Sequence, residues 1–367
     1  MPRYGLKRLV LLLLLPLAAA AVIWAARFPE LVEQYYSLSV YGILSPAIAS
    51  LTGLLPFSIG ELFLVAGIIA LLIYTTHTVY RIATAKGRRF YAVYTYFVNL
   101  CVIAAVLYAG FVFLCGLNYY REPFAAAANL TVRESSTEEL TALCSQLVTI
   151  ANKQSKLVEA DEAGVTVLSS EYPETAQHAV AAMKSISKQY PFMRGLYAPP
   201  KPVLLSSAMS YSNISGVYFP YTFEANVNID IPDFYLPATM CHELAHQRGY
   251  MSEDEANFIS YLACKGSDNP DFNYSGTLHA LLFSLNALYK ADKTAYNELY
   301  TKINDRIKAD YAYYNSYWAR YEGAVSQVSA TINDTYLKAN NQTDGVQSYG
   351  RIVDLLLAEY RAENNLV

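Results

Sequence analysis

The chain has 367 residues, enough for one large domain or two ordinary ones, and only 16% of them are charged, a low share that points to a membrane-embedded part. The formal net charge of −4 excludes a protein built to neutralise nucleic-acid phosphates, which would need a basic stripe.

Three runs are apolar enough and long enough to cross a bilayer, which takes roughly 20 residues: Leu9 to Ala26, Leu62 to Tyr80 and Phe90 to Leu117. The first run has a basic start, a leucine core and a string of alanines, so it also resembles a signal peptide; its length and the two later spans favour a retained anchor. Between the first two lies Tyr35 to Ile59, which carries no charge but is broken by Gly42, Pro46, Gly53 and Pro56 and is rich in Ser and Thr, and which reads as interfacial or re-entrant. Arg3, Lys7 and Arg8 precede the first run, and Arg81, Lys86, Arg88 and Arg89 fill the loop between the second and third. Basic flanks mark the cytoplasmic side, so three crossings put everything after Tyr120 outside the cell membrane, with the N-terminus cytoplasmic.

The chain is therefore expected to comprise an α-helical anchor of three transmembrane helices, residues 1–120, and an extracytoplasmic, mainly α, α+β domain, residues 121–367. Its partners are the lipid bilayer and whatever the outer domain acts on. Within that domain Ser136 and Glu139 have the spacing of a capping box that starts a helix running to about Lys153. A second helix follows Pro173, with Ala176, Val180, Met183 and Ile186 on one face. Val203 to Leu205, Gly216 to Tyr221 and Ala225 to Ile229 read as short strands, and the alternation from Asn226 to Asp230 predicts a strand with one buried face. The segment Val217 to Ile229 serves either as an edge strand that takes an extended peptide by strand addition or as a plain structural hairpin. From about Leu236 to Tyr360 helices follow one another, with turns near Gly249, Asn269 and Asn340.

Of five cysteines, Cys101 and Cys115 fall in the third span, where a thiol is a small hydrophobe. Cys144, Cys241 and Cys264 remain outside, an odd number; a Cys241–Cys264 bridge is conceivable. The 33 tyrosines suit amphipathic surfaces near a membrane.

The informative stretch is Cys241-His242-Glu243-Leu244-Ala245-His246. Residues four apart share a helix face, so the imidazoles of His242 and His246 converge on one point, as zinc ligands do. Glu243 projects beside the first ligand, where a carboxylate takes a proton from water as general base. Met240, Leu244 and Ala245 would anchor the helix in a core. The third ligand comes from a separate element after a break at Gly249. Ser252 and Glu255 make a second capping-box spacing, which turns Glu255 onto the helix end and leaves Glu253 for the metal; Glu255 is the alternative. Asn257, one turn on, is placed to orient a ligand. Tyr274, His279 and Tyr250 are candidate donors to an oxyanion.

His-Glu-Leu-Ala-His followed by Glu-x-x-Ala-Asn-Phe resembles the gluzincin type of zinc peptidase, which implies a zincin-like domain with a glutamate from a second helix completing the site. The connection to that glutamate is shorter here than is usual in the type. The longer string Gly216-Val217-Tyr218-Phe219-Pro220, Asn226-Val227-Asn228 and Cys241 to Gly249, continuing to Tyr261-Leu262-Ala263-Cys264, resembles a bacterial family known as domain of unknown function 3810. Asn118-Tyr119-Tyr120-Arg121 and Ser348-Tyr349-Gly350-Arg351 extend the likeness. It implies a bacterial membrane protein with a zinc peptidase domain and supplies no substrate.

The function expected is hydrolysis of a peptide or protein by zinc and Glu243; the alternative is a zinc-binding sensor or interaction module without catalysis. An intramembrane peptidase is disfavoured, because Glu224, Asp230, Asp233, Arg248, Glu253 and Asp254 surround the motif and are too many charges for a lipid-buried segment.

Overall fold

The computed structural model describes residues 8–84 and 87–366; Arg3, Lys7 and Lys86 lie outside the described residues. Helices α1 (Leu14–Arg27), α3 (Ile59–Thr84) and α4 (Arg89–Leu114) correspond to the three apolar runs. The stretches Arg8–Arg27, Ile59–Thr84 and Arg89–Leu114 each have the length and composition to cross a membrane. Helix α1 lies on α4 through buried Ala18, Ala25 and Ala109. Such small side chains let backbones approach where lipid supplies no hydrophobic drive to association. Helix α3 joins α4 by the stacked Tyr74 and Tyr96 rings, 5.4 Å apart, and by Asn99 Nδ2 donating to the Tyr74 hydroxyl at 2.6 Å.

The segment Tyr35 to Ile59 is mostly helical and docked on the domain. A π-helical stretch, Val32–Val40, runs into α2 (Tyr41–Thr52). Its polar residues find protein partners: Ser37 Oγ donates to Asn118 Oδ1 at 2.8 Å, and Ser45 Oγ to the Gln247 carbonyl at 2.7 Å. Contacts thus cross the expected boundary at residue 120. A buried ion pair, Arg121 to Glu33 at 2.7 Å, ties the two sides. Another, Lys201 to Glu224 at 2.5 Å, does so together with the Ile59 and Gly60 N–H groups that Glu224 accepts.

The rest is mainly helical with small sheets. Helix α5 (Thr137–Gln154) begins at Ser136 with both bonds of the capping box, 3.1 and 3.2 Å. Helix α6 (Tyr172–Ser185) buries Ala176, Val180 and Met183. Strands β1 (Lys201–Pro202), β2 (Gly216–Phe219) and β3 (Glu224–Val227) form one sheet in the order β1–β3–β2, with β1 parallel and β2 antiparallel to β3. A two-residue ladder, Glu159–Ala160 with Thr166–Val167, stands apart. Two strand expectations need correction. Val203 to Leu205 falls in the turn after β1. Central β3 is buried along its whole length rather than on one face, because its Glu224 turns toward α3 while Ala225 and Val227 pack in the domain core.

Helices α7 (Leu236–Gln247), α8 (Glu253–Lys265) and α9 (Pro270–Ala291) pack on one another around fully buried Met240, Leu244, Phe258, Phe272 and Leu281. Burial of each such side chain contributes about 1.5–3 kcal/mol. The close crossing of α8 and α9 needs Gly276, where a Cβ would strike Cys264. Cys241 and Cys264 are free buried thiols without the conceivable bridge. Helices α10 (Lys293–Lys302), α11 (Asp305–Ala319), α12 (Ala324–Ala339) and α13 (Ile352–Glu363) complete the chain.

Many of the tyrosines are explained inside the fold: Tyr41, Tyr197 and Tyr311 are buried and donate to the backbone carbonyls of Gln247, Met193 and Leu278. A large apolar body with one donor at its tip suits that task.

Candidate metal centre

Every residue of α7 except His242 is buried, the pattern of a core helix, so the motif opens outward at one place. The helix ends in a Schellman motif: Tyr250 N–H donates to the Ala245 carbonyl at 3.1 Å and Gly249 N–H to that of His246 at 2.9 Å. Gly249 has φ +93°, and a Cβ there would lie 3.0 Å from the Tyr41 ring. Only glycine suits both conditions. The Tyr41 hydroxyl and Ser45 cover the remaining carbonyl, that of Gln247, and Tyr41 adds a second bond to that of His246, satisfying a helix end that is otherwise short of partners.

The reversed turn brings Glu253, the first residue of α8, back to the histidines. His242 Nε2 and His246 Nε2 are 3.0 Å apart, and Glu253 Oε2 lies 3.2 Å from the first and 3.8 Å from the second. Ligand atoms about 2.0–2.1 Å from a tetrahedral zinc are separated by about 3.3 Å, so the cluster has the right size.

The chemistry of the donors also fits. His246 Nδ1 faces the Tyr250 carbonyl at 2.7 Å, which can only accept, so that nitrogen carries the hydrogen. Asn257 directs Nδ2 to the Tyr349 carbonyl and Oδ1 to His242 Nδ1 at 2.8 Å, which fixes the same tautomer in His242. Both Nε2 lone pairs then converge with a carboxylate, three acceptors in need of a cation. Burial opposes charge here, yet the Glu253 carboxylate outweighs it and lifts the His246 pKa to about 9. Glu253, despite burial, is held at about 2 by the two imidazoles. The three side chains therefore form a cluster that could hold a metal ion.

Glu243 is buried between α7 and β2, against Gly216. Its pKa is pushed up to about 7 by burial, partly offset by the two histidines. Its Oε2 has no hydrogen-bond partner among the described residues. A buried carboxylate with one idle oxygen is suited to accept and release a proton near neutrality.

A cleft of about 710 Å³ opens over these groups. His279 lines it, packed between Tyr235 and Phe283 with ring centroids 5.2 and 5.0 Å away. Burial, reinforced by His242, lowers its pKa to about 3, so it stays neutral. The other expected donors are elsewhere. Tyr274 spends its hydroxyl on buried Asp310, at 2.7 Å, and does not reach the cleft; Tyr250 lies under Arg121, 3.9 Å from its ring centre, and offers only its carbonyl.

Glu255 is also away from the cluster, and for a different reason than expected. Ser252 makes no side-chain cap bond, and the Glu255 carboxylate accepts the Phe124 N–H at 2.5 Å. The capping box is replaced by a long-range bond to a chain segment that needs an acceptor.

Tyr349 was not among the sequence candidates. It lines the cleft with His242, His246 and Glu253, and burial together with the Glu253 carboxylate keeps its phenol protonated. Its only trace in the sequence is the Ser-Tyr-Gly-Arg string, which carries no spacing that points to the His-Glu helix.

The chain belongs to the family described as a protein of unknown function (DUF3810), whose model matches residues 36–357. That match takes in α2, which the contacts also join to the domain. No curated protein and no solved structure matches the chain.

Proposed function

We propose that this member of the family is a membrane-anchored zinc endopeptidase, its folded domain on the extracytoplasmic side and a peptide or protein its substrate. What carries the reading is the convergence of His242, His246 and Glu253 next to the buried carboxylate of Glu243, whose Oε2 has no hydrogen-bond partner among the described residues. A purely structural zinc site closes all four positions with protein ligands and has no use for a base.

In this reading His242 Nε2, His246 Nε2 and Glu253 Oε2 hold the ion, with Asn257 and the Tyr250 carbonyl fixing both rings. When bound, zinc supplies a Lewis acid that acidifies water and polarises a carbonyl. Glu243 Oε2 takes a proton from the attacking water and returns it to the departing nitrogen, so the C–N bond breaks to a carboxylate and an amine. The protonated Tyr349 phenol and neutral His279 are the donors available in the cleft for the developing oxyanion. Strand β2 is an edge of its sheet and lines the cleft, which favours strand addition of an extended substrate over a merely structural hairpin.

The test uses the full chain in detergent, parent and Glu243→Gln side by side, assayed for bound zinc and for cleavage of a mixed peptide library. Zinc in both and cleavage only by the parent is expected. Zinc without cleavage in either would make the protein a metal-binding sensor or interaction module instead.

A further inference from the structure

We infer that the substrate is a polypeptide anchored in the same membrane as the enzyme, cut within the few residues that adjoin the bilayer. The inference rests on the peptidase reading and adds to it a substrate class.

The turn of the β2–β3 hairpin is wedged between the domain-side ends of two apolar helices. Phe219 packs on Gly60 in the first turn of α3, where a Cβ would lie 2.9 Å from its ring. Tyr221 packs on Gly110 of α4, where a Cβ would lie 3.1 Å from its ring, and its hydroxyl donates to the Leu107 carbonyl at 2.7 Å. That carbonyl is about two turns inside the end of α4 at Leu114. The hairpin is thus seated at the depth where these helices leave the membrane. Three residues along β2 from Phe219 stands Gly216, in contact with Glu243. A strand rises about 3.3 Å per residue, so Gly216, and the general base against it, stand at most about 10 Å along the strand from that level.

The cleft continues the same way. Its lining runs from the ligands to Phe111 and Cys115 at the end of α4 and to Tyr336 of α12, whose ring centroid is 6.0 Å from that of Phe111. Helix α12 buries only Leu337. Val325, Val328, Ile332 and Tyr336, spaced along one of its faces, are exposed. Across the junction, Glu61 of α3 accepts the N–H groups of exposed Leu204 and Leu205 at 3.0 and 2.8 Å. An apolar rim continuous with membrane helices suits a chain arriving from the bilayer better than one arriving from water. An extended chain covers up to about 3.3–3.6 Å per residue, so a tethered substrate reaches Glu243 after about three residues, and the cut should fall within about six of the bilayer.

The experiment reconstitutes the full-length enzyme in phosphatidylcholine–phosphatidylglycerol vesicles with a reporter of one leucine–alanine transmembrane helix followed by a long disordered tail built from a single repeated mixed sequence. The same tail without its helix is run in parallel, and cut sites are mapped by mass spectrometry. Because every repeat is tethered, distal repeats control for the raised local concentration. We expect the repeat nearest the bilayer to be cut at least tenfold more often than distal ones. Cuts spread evenly along the tail, or a free tail cut at the same rate and sites, would overturn the substrate class and leave the peptidase intact. A zinc-loaded enzyme that cuts neither the reporter nor the free tail would overturn the peptidase reading and this inference with it.

Discussion

Gly216→Ala should disturb Glu243, the proposed base, while leaving His242, His246 and Glu253, the proposed metal ligands, in place. A Cβ at Gly216 would lie 2.7 Å from Glu243 Cγ and 2.8 Å from Cδ and would collide with Oε1. Contacts this short do not persist, and the clash reaches back to Cγ, so rotation of the carboxylate alone does not relieve it. Glu243 is boxed in by α7, itself buried, so the side chain must shift by about 1 Å, a misplacement that can cost about 100-fold in rate, or about 2.7 kcal/mol of transition-state stabilisation. Overpacking should cost about 1–3 kcal/mol of stability as well. No ligand to the ion is touched, so zinc content should stay at the parent's level. Glu243→Asp shortens the acid by one methylene and withdraws it from the new methyl group. The double variant Gly216→Ala, Glu243→Asp should therefore lose less than the sum of the two single losses, read as kcat/KM on a peptide substrate with zinc measured in the same samples. Near-parental activity in Gly216→Ala, or strict additivity in the cycle, would refute the claim that Glu243 acts from its position against the strand.

Two further outcomes follow from the cleft and the core. Tyr349→Phe should lower kcat at least tenfold while leaving zinc content and KM near the parent's, since only the hydroxyl is removed; an unchanged kcat would remove Tyr349 from the mechanism. Tyr274→Phe should leave activity unchanged and cost about 1 kcal/mol, because Asp310 keeps Thr166 N–H and hydroxyl as donors at 2.7 and 2.8 Å. Asp310→Ala strands all three donors and should cost about 3 kcal/mol or more, seen as a lower thermal midpoint; the reverse order of the two would contradict the assignment.

The parts of the site legible in the sequence are those set by local periodicity. Two histidines four apart on a helix and a glutamate opening the next helix need no tertiary knowledge beyond one turn at Gly249, and the apolar runs mark α1, α3 and α4 by length alone. The capping-box spacing favours Glu253 over Glu255, but in the fold a different bond occupies Glu255: it accepts the Phe124 N–H, 131 positions away. What was not legible depends on such distant contacts. Gly216 against Glu243, Tyr349 beside Glu253, and Tyr41 and Ser45 capping α7 join segments far apart in the chain. A tyrosine or glycine offers no period that reports its partner. Tyr274 looked like a candidate because a buried phenol near a motif reads alike whether it serves a cleft or a core carboxylate. The packing of Tyr35 to Ile59 was illegible for a related reason, since its Ser, Thr and Gly content suits an interface with water and equally a helix bonded to protein carbonyls.

The proposed grip of His242, His246 and Glu253 on one ion is tested most directly by the metal content of two variants. Full-length protein purified without chelators should hold one zinc per chain. Glu253→Ala should lose it, since one of three protein ligands is gone, whereas Glu255→Ala should retain it, because Glu255 accepts a backbone N–H and points away from the cluster. Zinc kept in Glu253→Ala and lost in Glu255→Ala, or no zinc in the parent, would contradict it.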